Sequence, residues 1–208
     1  MESLRTLKII VSFLFILGTA GAVSPLYAEV FTFGGDFSLP IPSPDYPGSE
    51  YGIGPMDDAI IDIDRHLYIK DIDVTINIEH SSALDLQLFL RAPDGTEICL
   101  NYYNFDEFYK AADYTDTIFD DDAPFSISEA KPPFTGRFKA RAPYTIKSFE
   151  GLDAYGSWHL RISDLWYADT GRLTNFQLII TIPEPSTVAF FLIALTMLLR
   201  RKSHNPNG

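Results

Sequence analysis

The sequence predicts an all-β protein, a two-sheet antiparallel β-sandwich, and three observations predict it. Apolar and polar residues alternate with a period of two in several segments, as a strand with one buried face requires. Proline, glycine and Asp-Gly turn signals separate those segments at short intervals. Between residues 30 and 182 no stretch keeps helical apolar spacing over three turns. The 208 residues, 14% of them aromatic, suit one domain with additions at its ends and can bury a sizeable core.

The elements follow in order. Arg5 and Lys8 precede an apolar run from Ile9 to Leu17 and the small residues Ala20, Gly21 and Ala22, with Ala28 a later candidate cut. That is the layout of a secretory signal helix over residues 1–28, and the run falls short of the ~20 residues a spanning helix needs. Residues 37–56 are rich in proline and glycine and read as a long loop with short strands. Ile72, Val74, Ile76 and Ile78 then alternate with Asp73, Thr75 and Asn77, a strand with one wet face. Leu84, Leu86, Leu88 and Leu90 repeat the pattern. Ala92-Pro93-Asp94-Gly95-Thr96 supplies a tight turn, and Glu97 to Leu100 returns as the hairpin partner. Residues 101–147 read as loops with short strands. Trp158, Leu160 and Ile162 alternate with His159, Arg161 and Ser163, Asp169-Thr170-Gly171 turns the chain, and Leu173 to Thr181 forms the last strand. The sandwich therefore occupies residues 29–182.

Beyond it, Pro183-Glu184-Pro185 precedes an apolar run from Val188 to Leu199, closed by Arg200, Arg201 and Lys202. Cations at the far end of an apolar run stay cytoplasmic, so residues 183–208 read as a tail with a short transmembrane helix. Its strict core would span about 18 Å as a helix against a hydrocarbon thickness of ~30 Å, which suits a temporary anchor. The formal net charge is -12, and the segment 29–182 holds 26 of the 28 acidic and 11 of the 16 basic residues. Such a surface excludes nucleic acid as a partner, since phosphates need a basic one. A single cysteine excludes an intrachain disulfide, and Cys99, between Ile98 and Leu100, reads as a buried small hydrophobe.

The tail's three elements, Pro183-Glu184-Pro185, hydrophobic helix and basic cluster, resemble the PEP-CTERM sorting signal of Gram-negative bacteria. The resemblance implies signal peptidase and a membrane exosortase as processing partners. It also implies a transient inner-membrane anchor, then release to the cell surface or exopolysaccharide matrix. The middle of the chain resembles another family, on three spans between Asp71 and Ile180. These are His80-Ser81-Ser82-Ala83-Leu84-Asp85-Leu86 running into Ala92-Pro93-Asp94-Gly95-Thr96, then Gly151 to Trp158 leading to Asp164, and Asp169-Thr170-Gly171-Arg172-Leu173 with Phe176 where tryptophan is usual. Together they are similar to the P domain (Homo B domain) that follows the catalytic domain in kexin- and furin-type proprotein convertases. That resemblance implies a jelly-roll sandwich and a non-catalytic role, because the protease part has no counterpart here. A module that binds or builds structure at the surface, with exopolysaccharide as a partner, is one reading. An accessory partner that stabilises a separate subtilisin-like serine endopeptidase is the other.

No catalytic residue is assigned. Ser157 and His159 share a strand face without a third partner, whereas a hydrolytic triad needs nucleophile, base, orienter and oxyanion donors together. Asp113, Asp116, Asp120, Asp121 and Asp122 crowd one predicted loop. They are either calcium ligands, since that cation takes six to eight oxygens, or a solvated acidic face. Asp164 and Asp169 read as turn residues of the final hairpin. The aromatics from Tyr102 to Tyr109 read either as sandwich-end filling or as a sugar-stacking rim.

Overall fold

The computed structural model describes residues 28–43, 54–102, 112–166 and 169–183. The expected signal helix (but for Ala28), the expected sorting tail (but for Pro183) and the aromatic stretch 103–111 lie outside the described residues.

Alternation dictates the strands. In β4 (Asp71–His80) the side chains of Ile72, Val74, Ile76 and Ile78 are all buried, and in β10 (Gly171–Ile182) those of Leu173, Phe176, Leu178 and Ile180 are. β4 and β10 pair antiparallel, Phe176 opposite Ile76 and Leu178 opposite Val74, so both apolar rows fall on one face. The sheet continues from β10 to β1 (Glu29–Ile41) at one edge, and from β4 through β7 (Tyr114–Phe119) to β8 (Phe134–Phe138) at the other. The second sheet has the order β2 (Gly54–Pro55), β9 (Gly156–Asp164), β5 (Leu86–Arg91), β6 (Glu97–Asn101), with β3 (Ala59–Ile63) also paired to β9. Its inward row of Leu86, Leu88, Leu90, Trp158, Leu160 and Ile162 joins that of the first sheet in one hydrophobic core. Two sheets sharing one core form a β-sandwich.

The hairpin from β5 to β6 forms as its turn chemistry dictates. Gly95 takes φ +93°, its N–H donates to Ala92 O at 3.0 Å, and Asp94 Oδ1 accepts from Thr96 N at 2.9 Å.

Two expectations are corrected. β1 runs on to Ile41, into the stretch read as loop. Phe31, Phe33, Phe37, Leu39 and Ile41 all fall on the inward parity, but Gly34-Gly35 interrupts the apolar pattern. Gly34 sits at φ +93°, and a Cβ there would overlap the Phe176 carbonyl and the Ile61 side chain, so glycine is what lets β1 lie this close. The second correction concerns direction: β7 and β8 pair parallel, so the sheet is mixed. Parallel neighbours need a long crossover, and residues 120–133 supply it. Its middle is a 3-10 turn, Ile127–Glu129, closed by a capping box in which Ser126 Oγ accepts from Ser128 N and Glu129 Oε1 accepts from Ser126 N.

Among the described residues no helix is long and apolar enough to cross a membrane.

Candidate functional site

The five aspartates singled out in the sequence do not converge. Asp113 and Asp116 adopt left-handed backbone, φ 73° and 48°, which aspartate tolerates better than most residues. Asp113 Oδ1 accepts from His80 N at 2.8 Å, and Asn77 Oδ1 accepts from Asp116 N. Both therefore stitch β7 to β4 where their register shifts between Ile76 and Ile78. Asp120 Oδ1 accepts from Asp122 N at 2.7 Å, and its Oδ2 takes Arg137 Nε at 2.8 Å. Asp121 Oδ2 accepts from Lys147 N at 2.6 Å and from the Thr145 hydroxyl, capping the turn Ile146–Phe149. Asp122 is exposed, with Lys147 Nζ at 3.6 Å. Among the described residues no three His, Cys, Asp or Glu side chains gather to hold a metal ion.

Arg137 bridges the carboxylates of β4 and of the crossover, with Nη2 at 2.5 Å from Asp73 Oδ2 as well as Nε on Asp120. Asp73 is 8% exposed, and its Oδ1 is buried without a hydrogen bond. Burial, then repulsion from Asp120, outweighs the guanidinium and pushes the carboxyl up from 3.8 to about 6. A carboxyl raised on folding contributes stability below pH 4, and that contribution is lost as pH rises toward 6. Asp73→Asn keeps the acceptor for Arg137 and removes the charge. It is expected to be more stable than wild type by about 1–2 kcal/mol at pH 7, with the gap closing near pH 4. Urea unfolding across that range measures it.

A second buried polar cluster gathers around His80. His80 ends β4 and Asp164 ends β9, and both side chains are 0% exposed. His80 Nε2 lies 3.5 Å from Asp164 Oδ2, and Nδ1 lies 2.9 Å from Ser82 O and 3.1 Å from Ser82 N. Asp164 Oδ1 accepts from Trp166 N at 2.9 Å, the turn role expected of it. Asp169 reaches across instead, accepting from Ser81 Oγ at 2.5 Å. Asp85 belongs to the same group: burial raises its carboxyl, Asp164 and Asp169 add repulsion, and Ser82 and His80 oppose the rise. Gly171 closes the arrangement, since a Cβ there would overlap the His80 ring and the Glu79 carbonyl. One imidazole thus ties the last turn of one sheet to the end of the other.

The residues that invite catalytic readings have other partners. Ser157 Oγ donates to Asp62 at 2.6 Å, and His159 Nδ1 lies 3.0 Å from Asp58. Neither pair joins the Ser157 hydroxyl to an imidazole. Cys99 is buried, and burial pushes its thiol up to about 11, away from the reactive thiolate. Tyr102 is exposed, with the Arg141 guanidinium 4.2 Å from its ring centre. Its aromatic neighbours lie outside the described residues.

Two solved structures from Aeromonas sobria are similar to this chain. They are the crystal structure of its serine protease, at 16% identity, and the complex of that serine protease (ASP) with the chaperone ORF2, at 15%. Each has a TM-score of 0.42 and is matched over 82% of this chain and 29% of its own length. The chain therefore spans under a third of those proteins. No curated protein matches it. The pattern of the family described as the proprotein convertase P-domain matches residues 69–180, from just before β4 nearly to the end of β10. That match takes in the His80–Asp164 cluster and covers more than half of the 208 residues, and the chain belongs to the proprotein convertase P-domain family.

Proposed function

We propose that this protein is an exported, non-catalytic β-sandwich module that binds or builds structure at the cell surface or in the exopolysaccharide matrix. One observation carries the reading: the family match at 69–180 lies wholly inside a compact unit, Ala28–Pro183, with its own continuous core. A unit with that core needs no protease domain to close it. The signal segment 1–28 and the tail from Pro183 to Lys202, with Arg200 and Arg201, supply the route. In that route signal peptidase acts at one end and an exosortase at the other.

Fractionation of the native host with mass spectrometry of the protein tests this. The expected result is surface-associated protein lacking residues 1–28, and loss of surface placement when residues 183–208 are deleted. Full-length protein in the cytoplasm overturns it. The family itself favours a second reading, a P domain that stabilises a separate subtilisin-like protease. Copurification of such a protease from the host distinguishes the two.

A further inference from the structure

Outside both sheets, residues 66–69 and 151–155 form a short two-stranded ribbon. Ile69 N donates to Leu152 O at 3.0 Å, Gly151 N to Ile69 O at 2.7 Å and Ala154 N to Leu67 O at 2.8 Å. Tyr68 and Asp153 stand opposite each other as an antiparallel bridge. Such pairing sends alternate side chains to opposite faces. Ile69 and Ala154 are buried, and Leu67 and Leu152 pack against the core. The outward face is left with His66, Tyr68, Asp153 and Tyr155.

That face is both exposed and braced. Tyr68 is 63% and Tyr155 50% exposed. The His66 imidazole stacks on the Tyr155 ring, centroids 4.4 Å apart and planes 15° from parallel. Its Nδ1 lies 2.7 Å from Asp153 Oδ2, while Asp153 Oδ1 accepts from Leu67 N at 3.2 Å and Tyr155 N at 3.1 Å. Exposed rings on a self-supporting ribbon have lost much of their freedom already, so a ligand that stacks on them meets little further ordering cost.

Charge selects the occupant. The protein carries net charge -12, which repels an anionic polymer. A cation would be drawn to the ring faces and to a free carboxylate, but one Asp153 oxygen faces the His66 ring and the other takes two backbone N–H groups. A neutral pyranose fits better. One of its faces offers polarised C–H bonds to electron-rich rings, and its hydroxyls can meet the phenol oxygens.

We propose that the outward face of this ribbon, formed by His66, Tyr68, Asp153 and Tyr155, binds neutral hexopyranose units of a glycan. The site deepens, and rests on, the reading of the chain as a surface binding module.

The test uses purified full-length protein on an array of neutral oligosaccharides of glucose, mannose, galactose and N-acetylglucosamine. Polygalacturonate, heparin and polylysine serve as charged controls. The expected result is retention by at least one neutral glycan. Tyr68→Ala and Tyr155→Ala should each weaken it about three- to tenfold, the worth of one aromatic contact, Tyr68→Ala without moving Tm. Asp153→Asn should weaken it too, by freeing His66. The site is overturned if no neutral glycan is retained, if both tyrosine variants bind like wild type, or if polylysine is preferred. Surface fractionation of the same variants separates the outcomes: a Tyr68→Ala protein still at the surface but blind to glycan leaves the export reading standing.

Discussion

His80→Ala is expected to destabilise the protein by about 3–5 kcal/mol, through the cavity left by a fully buried ring and the buried polar groups it leaves without a partner. The imidazole faces Asp164 at 3.5 Å with Asp85 and Asp169 beside it, so its removal leaves a group of carboxylates sheltered from water without the one basic group among them. It also removes the contact of Nδ1 with the Ser82 backbone, which shapes the turn from β4 to β5. Asp164→Ala should cost a similar amount, because Trp166 N loses its acceptor as well. The double variant should cost at least about 1 kcal/mol less than the sum, since the second change removes a group already left alone. Urea unfolding of the four proteins at pH 7 closes the cycle. Strict additivity would mean that the pair does not couple the two sheets.

These two residues also show where sequence reading stops. Strands β4, β5 and β9 announce themselves because each keeps an unbroken two-residue period, and β10 does so from Phe176 onward, past the register shift after Leu173. β3 keeps the same period in Ala59, Ile61 and Ile63, but the exposed Ile60 makes Ala59–Ile61 look uniformly apolar. β7 is hidden for another reason: its inward residues are Tyr114, Thr117 and Phe119, and the phase slips at Asp116, where the backbone turns left-handed. Side-chain partnerships lie a step further off. Composition reveals a cluster of aspartates between 113 and 122, yet it does not reveal that Asp113 serves His80, Asp120 serves Arg137 and Asp121 serves Lys147. Those pairings are set by strand register and by the parallel crossover, both products of tertiary packing. The ribbon of the proposed glycan site has the same character. His66 meets Tyr155 only because an isolated bridge puts Tyr68 opposite Asp153.

Trp158→Ala is expected to cost about 3–5 kcal/mol through the cavity it opens. The indole is 0% exposed, opposite Ile61 of β3 in the register, with the edge of the Phe149 ring meeting it at 5.1 Å and 74°. Its Nε1 donates to Ala154 O at 2.9 Å, so truncation also leaves a buried carbonyl unpaired. Trp158→Phe divides the two contributions: most of the ring packing survives and the hydrogen bond does not, for an expected loss of about 1–3 kcal/mol. The bonded residue is what makes the milder variant informative. Ala154 lies between Asp153 and Tyr155, and its own N–H holds Leu67, so the core indole anchors the strand that displays the outward rings. Trp158→Phe should therefore weaken glycan retention while the sandwich remains folded at room temperature. Tryptophan emission offers the control, because the chain has two tryptophans and the other, Trp166, is 42% exposed. A folded Trp158→Phe protein should emit further to the red than wild type. If it is folded and retains glycan undiminished, the ribbon does not depend on the core beneath it.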